Sequence, residues 1–185
     1  MFDTTFYVTV MMGVSLSNGP LQPDPPLSPI NPTPYETMRY TPTIRIAGGL
    51  TLKPCEAEVG FGNLSRWHQY RADYGPMSDT SGYDVNQSEV DLRGRCWLTK
   101  GKWGAYAETG LALEHTYIVQ WRYWTSPPIQ PPGSWFGSKE WNLAPQVGAG
   151  IGYDIDEKWK VTVGATWTFG QLNVQQYMLG LRRSF

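Results

Sequence analysis

The stretch from Trp141 to Phe185 alternates, residue by residue, between apolar side chains and side chains that are polar or small. In the run from Trp159 to Phe169, for example, every odd-numbered position is apolar. Successive side chains of a β-strand point to opposite faces, so a period of two over this length predicts strands with two unlike faces. The apolar face of each strand also begins and ends in aromatic residues. A chain with such strands must fold so that the two sides of its sheet meet different surroundings.

The same alternation continues upstream and predicts eight strands in all. The predicted strands cover Thr4–Leu16, Thr41–Leu52, Cys55–Tyr70, Asp84–Leu98, Trp103–Trp124 and Ser138–Tyr153, followed by two that meet at Gly170–Gln171 and end at Phe185. We expect a single all-β domain over residues 1–185, because this length suits one domain and is short for two.

The connections between the predicted strands alternate between long and short. Long loops are expected at about residues 17–40, 72–83 and 125–137, and short turns at Lys53–Pro54, Thr99–Lys102 and Asp154–Glu157. The loops 17–40 and 125–137 hold eleven of the fifteen prolines, which cannot donate hydrogen bonds to a β-ladder. Short periplasmic turns and longer extracellular loops are typical of barrels in the bacterial outer membrane. An even number of strands would leave both termini on the periplasmic side.

The overall composition does not by itself indicate a membrane protein. The mean hydropathy of −0.39 is that of a water-soluble protein, and no run approaches the ~18 apolar residues of a membrane helix. A transmembrane barrel escapes this test, because half of each strand faces inward and stays polar. The net charge of −1 gives no reason to expect a nucleic acid or another polyanion as partner. No signal peptide is visible, so we expect an exported chain whose leader has been removed.

The polar face of the predicted strands carries charges of both signs at mid-strand. If this face is turned inward, its charges form a compensated network, and an eight-stranded barrel is just wide enough for side chains to fill it. The residues predicted to form this interior charge network are Arg45, Glu58, Asp91, Arg93, Arg95, Glu108, Glu114, Lys160 and Arg182. The alternative is a soluble barrel of the lipocalin type, which would bury the apolar face around a ligand.

The apolar face ends in aromatic residues, which favour the two interfaces between lipid and water. The residues predicted to form this aromatic girdle are Trp67, Trp103, Trp121, Trp141, Tyr153, Trp159, Trp167, Phe169 and Phe185. A closed barrel with this face outward satisfies its own backbone hydrogen bonds in lipid. The sequence therefore predicts an eight-stranded antiparallel up-and-down transmembrane β-barrel with a charged interior that side chains fill.

Residues Val147–Asp154 and Gly180–Phe185 resemble the closing strands of bacterial outer-membrane barrels, which finish on a terminal Phe with apolar residues alternating behind it. With the strand number, the loop asymmetry and the charged interior, they make the chain similar to the OmpA/OmpX group of small barrels. The resemblance implies a location in the bacterial outer membrane, among its lipids and lipopolysaccharide, and insertion by the barrel-assembly machinery through the C-terminal strand. Because nothing follows Phe185, no peptidoglycan-binding domain is expected. The resemblance implies no activity, since this fold serves many functions.

Two families of lipid A-modifying enzymes use this fold, which makes the two histidines candidate catalysts. The deacylase family has a His with a Ser two residues further on, whereas the residue two after His115 is Tyr117. The palmitoyltransferase family uses a His with an Asp–Ser pair in outer loops, and here His68 precedes a loop that contains Ser78 and Asp79. A lipid A-modifying enzyme is therefore one alternative function, and a narrow gated channel through the filled interior is another.

The function that we favour is non-enzymatic. Functional residues concentrate on loops held by a rigid scaffold, and proline lowers the entropy cost of ordering a loop on a partner. The proline-rich loops also carry large apolar residues that suit such a contact, namely Leu21, Leu27, Tyr35, Trp135 and Phe136. The sequence thus predicts a barrel that presents loops to an extracellular or neighbouring protein, as an adhesin, a structural element or a subunit of a complex.

The two cysteines, Cys55 and Cys96, are not spaced like metal ligands, and no cofactor is predicted. Both fall on the apolar face, near the same end of neighbouring antiparallel strands. A cross-strand disulfide would suit an oxidising compartment. Two unpaired thiols that face lipid are the interpretation that we favour.

Overall fold

A computed structural model describes residues 4–18, 39–73, 79–98, 101–124, 134–170 and 172–185. Within these ranges the chain forms eight strands: β1 Thr5–Asn18, β2 Arg39–Leu52, β3 Cys55–Asp73, β4 Asp79–Trp97, β5 Trp103–Trp124, β6 Ser134–Asp154, β7 Trp159–Phe169 and β8 Asn173–Ser184. Each strand pairs antiparallel with the next, and β8 pairs with β1, so the sheet closes into a barrel. The predicted all-β, eight-stranded, up-and-down architecture is confirmed. No helix among the described residues is long and apolar enough to cross a membrane.

The two ends of the barrel differ. The lower end carries the turn at Lys53–Pro54, the turn at residues 155–158, the start of β1 and the end of β8. The upper end carries the connections from β1 to β2, β3 to β4, β5 to β6 and β7 to β8. The strands β3 to β6 have 19 to 22 residues, whereas the other four have 11 to 14. One side of the wall therefore rises further than the other at the upper end.

The barrel buries its polar side chains and exposes its apolar ones. Gln146 and Gln176 are fully buried inside, whereas Phe61 and Val163 are 62% and 50% exposed on the outer surface. An apolar surface that surrounds the whole barrel is stable in lipid rather than in water. The alternative of a soluble barrel, whose apolar face would line the interior, is therefore wrong.

The upper ends of the strands differ from the sequence prediction. Strand pairing occupies several residues that were expected to be loop, namely 17–18, 39–40, 72–73, 79–83 and 134–137. Gly and Pro indicate turns, but they do not indicate at which residue the two strands of a hairpin stop pairing above the membrane. The remaining parts of the expected long loops, 19–38, 74–78 and 125–133, lie outside the described residues.

A β-bulge changes the faces of β3 above its midpoint. The register with β4 shifts between Asn63 and Ser65, so that Leu64 is one extra residue without a partner on β4. Beyond this point Ser65 is buried and Arg66 is exposed, although strict alternation had placed Arg66 on the inner face. The bulge reverses which positions point inward, and a pattern of apolar and polar letters does not reveal it.

Cys55 and Cys96 form a disulfide, with an S–S distance of 2.07 Å. The two residues are direct cross-strand partners on β3 and β4 at the lower end of the barrel. The expectation of two unpaired thiols is therefore wrong. The shared face and the shared end could be read from the sequence, but the register that makes the two residues partners could not.

Candidate functional site

Arg45 of β2 lies at the centre of the charge network inside the barrel. Its fully buried guanidinium donates from Nε to Asp91 Oδ2 at 2.8 Å and from Nη1 to Glu58 Oε1 at 2.6 Å. Nη2 lies 2.5 Å from Asp91 Oδ1, so the pair between arginine and aspartate is bidentate. Glu58 comes from β3 and Asp91 from β4, and the ion pairs therefore tie three strands together across the lumen.

Two more arginines extend the network towards β5. Arg93 lies 3.0 Å from Asp91 and 3.2 Å from Glu89, and Arg95 lies 2.9 Å from Glu108. All five side chains are buried. Ion pairs of this kind are strongly coupled, because removing one partner leaves the other charge buried without compensation.

The lower mouth of the barrel holds a second group of charges. Arg182 Nη1 lies 2.5 Å from Glu56 Oε1, which also accepts a 2.8 Å hydrogen bond from the indole N–H of Trp97. The Lys160 ammonium lies 3.7 Å from the centre of the Trp97 ring and 3.2 Å from Asp154. These residues line a vestibule of about 1110 Å³ at the lower end. The Lys160 side chain is 20% exposed, so it belongs to this mouth rather than to the buried network.

Eight of the nine residues predicted for the interior are buried, and Lys160 is the exception. Glu114 is buried as well, and Asn142 donates a hydrogen bond to it at 3.4 Å. The prediction omitted Glu56 and Glu89, which are both part of the ion-paired interior. Each lies two residues from a predicted member on the same strand, so the alternation of β-strands contained the signal that would have found them.

Glycines on β6 and β7 provide the space for the large interior side chains. A Cβ on Gly150 or on Gly164 would lie 2.4 or 2.2 Å from the hydroxyl oxygen of Tyr106. A Cβ on Gly152 would lie 2.6 Å from the ring of Trp97. The small residues of one wall thus accommodate the large side chains that β4 and β5 send across the lumen.

An apolar cluster lies inside the barrel above the charge network, among buried polar side chains such as Gln87 and Thr116. Leu64, Val85, Leu172 and Val174 form a buried cluster, and Ile118 packs against it. These five residues are called the apolar layer. The sequence prediction missed this layer, because apolar residues on the inner face break the alternation by which the inner face was recognised. Charged residues, neutral polar residues and the apolar layer together occupy the part of the lumen that the structure describes.

Paired rings mark the two ends of the outer surface on β5 and β6. Trp103 and Tyr153 are cross-strand partners with ring centroids 4.7 Å apart, and His115 and Trp141 are partners with centroids 4.5 Å apart. The two pairs are twelve residues apart on each strand, a rise of about 30 Å for strands tilted by ~40°. The hydrocarbon core of a bilayer is about 30 Å thick. The two ring pairs therefore lie where the two aromatic girdles of a membrane barrel belong.

The structure describes the side chains of four of the six remaining girdle residues. Those with described side chains are exposed or half-exposed on the outer surface, namely Trp159, Trp167, Phe169 and Phe185. At the lower end Phe6 adds a ring that the prediction did not include, with its centroid 6.2 Å from that of Phe185. The side chains of Trp67 and Trp121 lie outside the described part of the chain.

The residues predicted to contact a partner fall mostly where the structure gives no description. Leu21, Leu27 and Tyr35 lie outside the described residues. Trp135 and Phe136 belong to β6 and not to a loop, which corrects the prediction. Their backbones pair with β5, because the β5–β6 ladder continues past them to the pair of Arg122 with Ser134.

The histidine with a described side chain, His115, faces outward. Its ring packs on Trp141, whereas the neighbouring Glu114 is buried inside the barrel. Ser88 is its cross-strand partner on β4, but among the described side chains no hydrogen bond joins the two. The described residues also contain no group of three or more His, Cys, Asp or Glu that could hold a metal ion.

No protein-family model matches the sequence, and no curated protein matches it. The fold is similar to that of Neisserial surface protein A, with a TM-score of 0.65 and 14% identity over 97% of both chains. It is also similar to outer membrane protein OprG from Pseudomonas aeruginosa, with a TM-score of 0.51 and 11% identity over 97% of this chain and 95% of that one. A third similar structure is that of Ail, the attachment invasion locus protein of Yersinia pestis, with a TM-score of 0.50 and 10% identity over 97% of this chain and 99% of that one. That structure of Ail is a complex with the heparin analogue sucrose octasulfate.

Proposed function

We propose that this chain, an eight-stranded β-barrel of the bacterial outer membrane with the OmpA/OmpX-like fold, is a non-enzymatic scaffold that presents its proline-rich upper connections. The segments concerned are 19–38 and 125–133. Their partner would be an extracellular or neighbouring protein or a surface, so that the barrel serves as an adhesin, a structural element or a subunit of a complex.

The projection of the β5–β6 hairpin beyond the membrane carries this proposal. The upper ring pair of His115 and Trp141 marks the lipid boundary, and the ladder continues from there to Arg122 and Ser134. Seven residues of a strand tilted by ~40° rise by about 18 Å. The wall therefore holds the ends of segment 125–133 well outside the lipid. A hydrogen-bonded sheet of this height has no use in crossing the membrane, but it would keep a contact segment clear of the lipid headgroups.

The filled lumen argues against the alternative of a narrow channel. The buried ion pairs of Arg45, Arg93 and Arg95 occupy the middle of the barrel, and the apolar layer lies above them. Conductance in planar bilayers tests this alternative. Discrete channel openings by the purified protein, absent from empty bilayers, would favour the channel over the scaffold.

The surroundings of His115 argue against the alternative of a lipid A-modifying enzyme. Catalysis by this histidine would need a nucleophile or a carboxylate within hydrogen-bond reach. Glu114 lies on the other face, and the ring of His115 packs on Trp141. Mass spectra of lipid A from cells with and without the protein test this alternative, and a change in acyl chains that is lost in His115→Ala would favour the enzyme.

A role at the cell surface has a precedent among proteins of this fold. Ail is named for attachment and invasion, and its structure contains a heparin analogue. The likeness to Ail concerns the fold alone. It supports the proposal in that a barrel of this fold can take part in attachment.

The test removes the two proline-rich segments separately and together. Residues 19–38 and 125–133 are each replaced by a short Asn-Gly turn, which closes a hairpin without a long loop. The proteins are expressed in the outer membrane, and cell adhesion and cross-linked partners are measured. We expect the double deletion to lose binding and the barrel to remain folded, because neither deletion touches the described ladder.

A matched control carries scrambled segments of the same length and composition. If contact depends on the segments' sequence, the scrambled protein should bind as weakly as the deletion. A double deletion that keeps every binding and assembly phenotype would refute the scaffold function.

A further inference from the structure

The wall between β2 and β3 changes character halfway up the barrel. Backbone pairing between the two strands stops at Arg45 and Gly62, although both strands continue upward. Over the described residues above this point, β2 pairs only with β1, and β3 pairs only with β4. This interruption is called the β2–β3 seam. It leaves two edges side by side, whereas the flanking β1–β2 and β3–β4 ladders continue upward past this level.

Two local features account for the seam. Pro42 lies in β2 just above the last pair, and its nitrogen has no hydrogen to donate. Across from it, the bulge adds Leu64 to β3, so that Leu64 has a backbone partner neither on β2 nor on β4. A proline facing a bulge prevents the regular exchange of N–H and C=O groups between the strands.

Side chains close the seam in place of the backbone. The N–H of Ile44 donates to Asn63 Oδ1 at 2.7 Å, and Asn63 Nδ2 donates to the carbonyl of Pro42 at 2.9 Å. The hydroxyl of Thr43 donates to the carbonyl of Asn63. Because backbone groups in lipid have no water to bond, these bonds keep the seam closed. These hydrogen bonds are made by rotatable side chains, so they can break while the neighbouring β-ladders stay paired.

Leu64 stands directly behind the seam. Its carbonyl accepts a hydrogen bond from the hydroxyl of Ser15, and its fully buried side chain belongs to the apolar layer. Since no ladder holds Leu64 on either side, a change in this one residue would uncover Val85 and Val174. The strands of the remaining wall would not have to move.

The outer rim of the seam is apolar. Ile44 and Phe61, which flank it, are 56% and 62% exposed on the lipid-facing surface. The lower end of the seam therefore faces lipid chains, whereas the exposed Arg66 lies higher on β3. On the inner side the seam meets the apolar layer, whereas the charge network lies lower in the barrel. The buried hydroxyls of Ser15 and Thr43 also lie on this inner side, but each already donates to a backbone carbonyl. An alkyl chain asks for no further hydrogen bond here, whereas a buried polar headgroup would need new partners.

We propose that the β2–β3 seam is a lateral gate through which one alkyl chain of a lipid in the upper leaflet enters the apolar layer, with Leu64 moving aside to admit it. The gate goes beyond the scaffold function, because it uses the wall and not the upper connections. Either can therefore fail without the other.

The test looks for contact between an alkyl chain and the apolar layer. Deuterated protein with protonated Val, Leu and Ala methyl groups is placed in nanodiscs of deuterated lipid, and protonated stearic acid is added. Magnetisation transfer from the chain reaches only methyl groups a few ångströms away. We expect transfer to Val85 and Val174 inside, and to Val163, which faces lipid in any case. Ala112, buried in the interior, should stay silent.

Two substitutions by valine separate the gate from the rest of the wall. Thr43→Val removes a hydroxyl that closes the seam and keeps the side-chain shape. Thr109→Val is the matched control, because its hydroxyl makes the same kind of bond, to the Gln146 carbonyl at 3.2 Å, on the continuous β5–β6 ladder. We expect transfer to the apolar layer to rise by about two- to tenfold in the first variant, the effect of one hydrogen bond, and to stay unchanged in the second.

A third variant closes the gate. A disulfide from Ile44→Cys and Asn63→Cys would join the positions at which the ladder would continue, and transfer to the apolar layer should then disappear. The proposal is overturned if Val163 receives magnetisation while Val85 and Val174 receive none in the unmodified protein. This measurement uses the unmodified protein, so its outcome does not depend on whether any variant folds. The proposal is also overturned if Thr43→Val and Thr109→Val raise the transfer equally.

Discussion

Replacing Arg45 by methionine removes the central charge of the interior and keeps an unbranched side chain. Among the described side chains, Asp91 would then keep one arginine partner, Arg93 at 3.0 Å, and Glu58 would keep one, Arg95 at 3.9 Å. Removing one partner of a buried ion pair usually costs about 3–5 kcal/mol, because the other charge stays buried without compensation. We expect Arg45→Met to lower the free energy of unfolding by about this amount.

If the cost comes from the two carboxylates that lose their partner, neutralising them should restore part of the stability. Adding Glu58→Gln and Asp91→Asn to Arg45→Met removes both negative charges together with the positive one. The triple variant should therefore be more stable than the single one, despite carrying three changes. Lys160→Met serves as the matched control for loss of a positive charge. The Lys160 side chain is 20% exposed and pairs with the half-exposed Asp154, so its loss should cost less than about 1 kcal/mol.

Urea unfolding of the protein from lipid vesicles measures these differences. Tryptophan fluorescence follows the transition, and the shift in gel mobility on heating counts the folded fraction independently. An Arg45→Met protein within about 1 kcal/mol of the unchanged protein would refute the argument, since that is the cost of an exposed ion pair. A triple variant less stable than the single one would refute it as well, because the carboxylates would then not be the source of the cost.

Three further predictions follow from the same structure and use the same assay. Leu92→Arg, at mid-height on the lipid-facing surface, should cost about 2–4 kcal/mol, whereas Leu98→Arg at the lower boundary should cost at most about 1 kcal/mol; equal costs would contradict the inside-out arrangement. Replacing both cysteines by alanine should lower stability by about 2–4 kcal/mol, since the disulfide joins residues 41 apart, and an unchanged urea midpoint would contradict this. Gly150→Ala should cost about 1–3 kcal/mol, because its Cβ would lie 2.4 Å from a buried tyrosine hydroxyl, and Gly94→Ala, whose nearest neighbour is 3.9 Å away, should cost less.

The period-two pattern sufficed to predict the barrel because a membrane imposes one rule on every strand. Lipid requires apolar side chains on the outer face, and the narrow lumen requires side chains whose opposite charges compensate one another. Arg45 and Val163 obey that rule, and each was assigned to the correct face from its neighbours alone. Glu56 obeys it too, and it was omitted only because it stands next to a turn.

What the pattern could not predict depends on register and on local irregularity. Strict alternation along β3 would place Arg66 on the inner face, but one bulge at Leu64 reverses the alternation above it and Arg66 is exposed. The disulfide was missed because pairing of two cysteines depends on the register of β3 against β4, and a shift by one residue would place them on opposite faces. The β2–β3 seam depends on both, since Pro42 and the bulge interrupt the ladder only when they face each other.

The charge network limits where a function of this barrel can reside. Arg93 alone contacts three carboxylates, those of Glu89, Asp91 and Glu108. Opening the lumen would withdraw this guanidinium from all of them and leave several charges in a medium of low dielectric constant. The total cost would approach the whole stability of a typical domain, about 5–15 kcal/mol. Movement is far less costly where no buried charge loses its partner, as at the β2–β3 seam, which neutral hydrogen bonds close. We therefore expect ligands and partners to meet this protein at its upper rim and through its wall, and not along its axis.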